Sequence, residues 1–153
     1  RTMREKSKRE RDVETKTLRE RREKRRRMRN CRVLIAEDNT LQLKLMLHQM
    51  EKLEWKVTVA SDGEEAVRLC TKERFQMLIT DIGLPKLDGF EVSTRLRENQ
   101  VQTYIVGMSA SQTRYTSEKI QRAGMNEFQL KPLKQETLRQ CLVRANNYNT
   151  PNI

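Results

Sequence analysis

"MLITDIGLPKLDG", residues 77–89, carries the pattern that decides the fold. Four largely apolar residues run into a lone aspartate, Asp81. Pro85 follows four places later, and Asp88-Gly89 closes the segment. The apolar run predicts a buried strand, the proline a constrained loop, and Asp88 the N-cap of a helix. A buried strand that ends on a carboxylate is how an open α/β sheet offers a polar group at its edge.

Strand and helix patterns alternate in both directions from this stretch. Upstream, "CRVLIAED" (31–38) reads as a strand ending in two acids. "TLQLKLMLHQMEKLEW" (40–55) has the length and apolar face of a helix, and "KVTVAS" (56–61) is a β-branched strand. Asp62 caps a helix running to about Glu73, with Glu64 and Glu65 in the first turn, where the helix dipole favours them. "FQMLITD" (75–81) is the next strand and "DGFEVSTRLREN" (88–99) the next helix. Downstream, "TYIVGMS" (103–109) is a strand, and "RYTSEKIQRAG" (114–124) a helix ended by Gly124 where a left-handed cap is required. "NEFQLKP" (126–132) and "LKQETLRQCLVRANN" (133–147) form the last strand and helix. Five strands alternating with five helices predict an α/β fold, a parallel sheet with helices on both faces, over residues 31–147. Residues 148–153 read as a tail.

Residues 1–30 are different. They hold 15 Lys/Arg against 6 Asp/Glu, a net of +9, out of chain totals of 32 and 21; the remaining residues hold 17 against 15, a net of +2. The segment has no Gly or Pro, and its apolar residues are Met3, Val13, Leu18 and Met28, too sparse for a heptad seam. Glu5→Arg9, Asp12→Lys16, Glu20→Lys24 and Glu23→Arg27 are i,i+4 pairs that favour a helix. We read 1–30 as a solvated, basic helix or linker. Its rival is an element for nucleic acid or anionic lipid, because "KRRRMR" (24–29) attracts polyanions. No aromatic interleaves there to stack on bases.

Composition removes several classes of function. One histidine, His48, and three scattered cysteines, Cys31, Cys70 and Cys141, assemble no familiar zinc site. The thiols are expected reduced and partly buried, as in a cytoplasmic-type compartment, or a nuclear one in a eukaryote. No apolar run reaches the ~18 residues of a membrane span. His48 is expected at the surface and Trp55 near the sheet edge.

The polar residues that end the strands are the candidate site. Glu37 and Asp38 follow the first strand, Asp81 ends the third, Ser109 the fourth, and Lys131 follows the fifth. In a parallel sheet these ends share one edge. Three crowded carboxylates need neutralisation, and a hard divalent cation such as Mg²⁺ takes oxygen ligands of this kind. Mg²⁺ and the Lys131 ammonium would bring the formal sum to zero. A phosphoryl group on Asp81, a carboxylate able to act as acceptor nucleophile, would then find the metal, Lys131 and the Ser109 hydroxyl around its oxygens.

On these residues the chain resembles the receiver domain of two-component response regulators and hybrid histidine kinases. The matching positions are Glu37-Asp38-Asn39, Asp81 in D-x-x-x-P-x-x-D-G through Pro85, Asp88 and Gly89, Ser109-Ala110, and Lys131-Pro132. Phe128 falls where the family places its switch aromatic. The resemblance covers about Arg32 to Asn146. It implies a flavodoxin-like (βα)5 sheet of order 2-1-3-4-5, Asp81 as phosphoacceptor, and Mg²⁺ held by Glu37, Asp38, Asp81 and the carbonyl of Gly83. It also implies switching through Ser109, Phe128 and Lys131, with loop shaping by Pro85, Asp88 and Gly89. The implied partners are a histidine kinase or a histidine phosphotransfer protein. A second copy on the face of 114–124, 126–132 and 133–147 is a further implied partner. Such a domain catalyses its own phosphorylation and dephosphorylation without being a turnover enzyme on another substrate.

Two other classes fit the sequence less well. A receiver-fold module that is never phosphorylated would have no need of Glu37, Asp38, Asp81 and Lys131 together. A haloacid-dehalogenase-type phosphatase expects an aspartate two residues past its nucleophile, and here that position is Gly83. The 22 residues after Lys131 leave room for a helix and a tail. The expectation is therefore a single-domain phosphorelay protein or a receiver segment of a larger hybrid kinase.

Overall fold

The computed structural model describes residues 3–29, 31–111 and 115–149. Within 3–29 the side chains of residues 3, 4, 6, 24 and 27–29 also fall outside the described set, and with them much of the 24–29 basic cluster. The described residues form six helices and five strands in the order α1 (Met3–Arg29), β1 (Arg32–Ala36), α2 (Thr40–Glu51), β2 (Lys56–Ala60), α3 (Gly63–Lys72), β3 (Met77–Asp81), α4 (Gly89–Glu98), β4 (Tyr104–Ser109), α5 (Ser117–Arg122), β5 (Glu127–Leu130) and α6 (Gln135–Asn149).

The five strands make one parallel sheet of order β2-β1-β3-β4-β5. Alternate residues of its central strands feed two cores. Val33, Ile35, Met77, Ile79, Val106 and Met108 meet Met46 and Met50 of α2 and Leu138, Cys141 and Leu142 of α6. Leu34, Leu78 and Ile105 face Ala66 and Cys70 of α3 and Val92 and Leu96 of α4. β3 is covered on both faces, so Met77, Leu78 and Ile79 are all fully buried. This is why the decisive stretch reads as a continuous apolar run rather than an alternating one. Each such side chain stabilises the fold by roughly 2 kcal/mol.

Local chemistry sets the helix starts. Asp62 accepts from Glu65 N at 2.8 Å, Asp88 from Glu91 N at 2.8 Å, and Asn39 from Gln42 N at 3.0 Å. Gly124 adopts φ +79°, the left-handed geometry predicted for it after α5.

The expected boundaries run long in several places. The 40–55 helix ends at Glu51, because Lys52 caps it and Glu54 turns back with φ 56°. The 114–124 helix begins at Ser117, capped by Thr116, and Arg114 lies outside the described residues. β5 is four residues, Glu127–Leu130, not 126–132. α6 starts at Gln135 and reaches Asn149, past the expected end at 147, and the tail from 150 lies outside the described residues.

All three cysteines are buried, more deeply than expected. His48 is exposed. Trp55 is buried just before β2, the edge strand. The described side chains of α1 are all exposed, Val13 and Leu18 included.

Candidate functional site at the carboxyl edge of the sheet

β1 hydrogen bonding continues one residue past the strand, since Glu37 N donates to Ala60 O at 3.1 Å. Glu37 is thereby held at the sheet edge with its side chain fully buried, while Asp38 is exposed. β3 delivers Asp81 as its last residue, opposite Met108 of β4. Past β5, Lys131 N donates to Ser109 O at 2.8 Å, which carries the lysine to the end of β4. Four segments thus converge.

The Lys131 ammonium lies 2.9 Å from Glu37 Oε2 and 3.0 Å from Asp81 Oδ2. It also donates to Gln42 Oε1, on the first turn of α2. Glu37 Oε1 accepts from Asn39 N at 3.1 Å. Burial pushes the Glu37 carboxyl above its ordinary range, and the nearby Asp81 charge adds to this; the hydrogen bonds from Lys131 and Asn39 pull the other way.

Glu37, Asp38 and Asp81 can each offer a carboxylate oxygen so placed that all three lie within 4.8 Å of one another. Three carboxylates against one ammonium leave a formal charge of −2. An all-oxygen donor set of this size and charge fits a hard divalent cation such as Mg²⁺.

The 82–88 loop is shaped by its own backbone. Pro85 O accepts from Gly63 N at 3.2 Å and Leu87 N at 2.9 Å, and Lys86 sits at φ 68° with its ammonium 3.3 Å from Asp62. Gly89 N donates to Ile82 O at 2.9 Å, and a Cβ at Gly89 would come within 2.6 Å of Asp81 O. Glycine at 89 is therefore a requirement of close approach, and it seats the α4 start directly behind Asp81. Gly83 is exposed, and its N–H donates to Asp81 Oδ1 at 3.3 Å.

Ser109 and Phe128 stand slightly apart from this centre. The Ser109 hydroxyl is engaged with the backbone of Ser111, accepting from its N–H at 3.2 Å. Phe128 is half-buried and meets Tyr115 edge-on at 6.0 Å, and Tyr115 meets Phe90 at 5.0 Å. Two participants escaped the sequence. Gln42 was legible in principle, as the residue three beyond the Asn39 cap and so on the turn facing the acidic pair. Tyr115 lies in an irregular segment with no periodicity to flag it.

The family model described as "Response regulator receiver domain" matches residues 33–143. Among curated proteins the chain is 34% identical over 107 residues to the sensor protein EvgS of Escherichia coli, covering 70% of this chain and 9% of that protein. It is 32% identical over 124 residues to hybrid signal transduction histidine kinase A of Dictyostelium discoideum, covering 77% of this chain and 6% of that one. The chain thus spans less than a tenth of the length of either relative. Among solved structures, it is similar to the receiver domain of sensor histidine kinase PA1611 from Pseudomonas aeruginosa. That match has a TM-score of 0.70 and 29% identity, over 77% of this chain and 98% of that one. That structure carries a magnesium ion coordinated in its active-site cleft. Among the described residues no helix is long and apolar enough to cross a membrane.

Proposed function

This chain belongs to the response regulator receiver domain family, and on that premise we propose that it is a phosphoacceptor in two-component or phosphorelay signalling, with Asp81 as the residue that takes the phosphoryl group. The observation that carries the proposal is the convergence of Glu37, Asp38 and Asp81 around one ammonium, that of Lys131, at the carboxyl edge of the sheet. A structural ion cluster would balance its charges. This one is two positive charges short.

Asp81 is the acceptor because it ends the central strand with its carboxylate partly open to solvent and next to Lys131. One of its oxygens attacks the phosphorus of a phosphohistidine, the P–N bond breaks, and the electron pair leaves with the imidazole nitrogen. Lys131, already 3.0 Å from Asp81 Oδ2, supplies a donor where charge gathers on the transferred oxygens. Glu37, Asp38 and Asp81, with the Gly83 carbonyl, would hold Mg²⁺, which when bound supplies neutralisation of the carboxylates and of the phosphoryl oxygens. Pro85, Asp88 and Gly89 keep the loop beside Asp81 in shape.

The switch would follow from hydrogen bonding. A phosphoryl group draws the Ser109 hydroxyl from Ser111, and Phe128 moves toward the space that Ser109 leaves. Charge-assisted hydrogen bonds contribute ~1.5–3 kcal/mol each, so two approach the ~5.5 kcal/mol that swings a two-state equilibrium from 1:99 to 99:1. The output surface is then α5, β5 and α6, where a second copy could pair. The donor is a histidine kinase or a histidine phosphotransfer protein, and the chain acts alone or as the receiver segment of a hybrid kinase. Its three buried, widely spaced cysteines suit a reducing compartment. α1 serves as a basic linker or signalling helix. The test is radiolabel from acetyl phosphate with Mg²⁺ present. Unaltered protein should take it up and Asp81→Asn should not; labelling that persists in Asp81→Asn would place the acceptor elsewhere.

A further inference from the structure

Lys131 has three N–H donors and three acceptors: Glu37 Oε2, Asp81 Oδ2 and Gln42 Oε1. Two acceptors are charged and belong to the site already described. The third is a neutral amide on α2, and its placement is itself fixed by a closed circuit of hydrogen bonds. Lys131 Nζ donates to Glu37 Oε2, and Glu37 Oε1 accepts from Asn39 N. Asn39 Oδ1 accepts from Gln42 N, and Gln42 Oε1 accepts from Lys131 Nζ. The helix cap of α2 and the lysine beyond β5 are thus tied into one ring.

We propose that Gln42 is a positioning residue for phosphoryl transfer, holding the Lys131 ammonium so that its remaining N–H is aimed at Asp81. A lysine side chain is a long, flexible stem carrying a charge with no directional preference of its own. Anchoring two of its three donors, on Glu37 and Gln42, leaves one direction for the third. Gln42 suits this task because it is uncharged. A fourth carboxylate at that point would hold the ammonium as well, but would add to the negative charge that repels an incoming phosphoryl group. When charge moves from Asp81 onto phosphoryl oxygens, the aimed N–H already faces them while the other two stay in place. No reorganisation is then needed at the moment of transfer.

The inference rests on Asp81 and Lys131 serving as proposed above, and the experiment separates the two. Gln42 lines a groove with Leu45, Met46, Met108, Pro132 and Leu133. Gln42→Met therefore keeps volume and apolar contact there while removing the acceptor. In the full chain, initial uptake of label from acetyl phosphate with Mg²⁺ should be about tenfold slower in both Gln42→Met and Gln42→Ala. In a Lys131→Ala background neither substitution should slow it further. Wild-type rates in Gln42→Met would overturn the proposal, since packing would then explain the contact. So would a Gln42→Ala cost that persists without Lys131. An unaltered chain that takes no label would overturn the phosphoacceptor function first, and this proposal with it.

Discussion

β5 is bracketed by two ion clusters of opposite character. Glu127, its first residue, is a single carboxylate surrounded by donors. The Tyr104 hydroxyl, Nε and Nη2 of Arg144, Gln129 Nε2 and the Cys141 thiol all reach it. Burial works to raise Glu127, yet these partners, Arg144 above all, hold it at about 2. Just past the other end of the strand, Lys131 is one ammonium serving two buried or half-buried carboxylates, with a third, Asp38, beside them. There burial wins, and Glu37 is pushed up. A cluster that holds the fold together closes its own accounts of charge and hydrogen bonding. The cluster proposed to take a cation and a phosphoryl group leaves both open.

The largest expected contrast is between the two carboxylates. Asp81→Asn should abolish phosphoryl uptake, whereas Glu127→Gln should leave the initial rate within about twofold, because Glu127 touches nothing that reacts. Uptake lost equally in both variants would break the distinction.

Stability should divide the other way. Arg144→Ala strips Glu127 of its bidentate partner and should cost about 2–3 kcal/mol in urea unfolding. The figure lies below that for a fully buried pair because the guanidinium is partly exposed. Labelling of that variant should be unchanged. Asp81→Asn relieves crowding of like charge and should unfold no more easily than the unaltered chain.

Acid should sharpen the contrast. Glu127 is depressed on folding, so its contribution is present above the unfolded value of about 4.5. It is lost as pH falls from there through about 2. The stability difference between the unaltered chain and Glu127→Gln, on the order of 1–3 kcal/mol near neutrality, should therefore shrink over that range. A difference that stays constant would mean that the carboxylate charge is not what matters.

The smallest effect belongs to the open cluster. On the proposed reading Mg²⁺ would bind the folded chain, so adding it at about ten times its dissociation constant should stabilise by about 1.4 kcal/mol. Chelation should reverse this, and Asp38→Asn should reduce it. Unfolding midpoints with and without Mg²⁺ measure it, and identical midpoints would leave the three carboxylates without a ligand.

Much of this was legible before any coordinates. β3 announced itself because a strand covered on both faces must be apolar throughout, and Asp62 and Asp88 because a side-chain cap has a fixed offset from its helix. The ends of elements were less legible. α2 stops four residues short of the apolar pattern because Leu53 is half-buried and Trp55 buried without being helical. Apolar periodicity reports burial, and burial outlasts the helix here. Tyr115 was read as part of the 114–124 helix but precedes it, and its edge-to-face contacts have no sequence period to announce them.

By itself the sequence determined the alternation of strands and helices and which polar residues fall at or just past the strand ends. Those follow from apolar periodicity and capping, which act over a few neighbouring positions. Only the tertiary structure decided that Glu37 is buried while Asp38 is exposed, that Lys131 divides its donors among Glu37, Asp81 and Gln42, and that Glu127 is saturated. Each of these depends on which donors and acceptors from distant strands arrive within about 3 Å. No local pattern encodes that distance, because it is set by the order in which the strands pair.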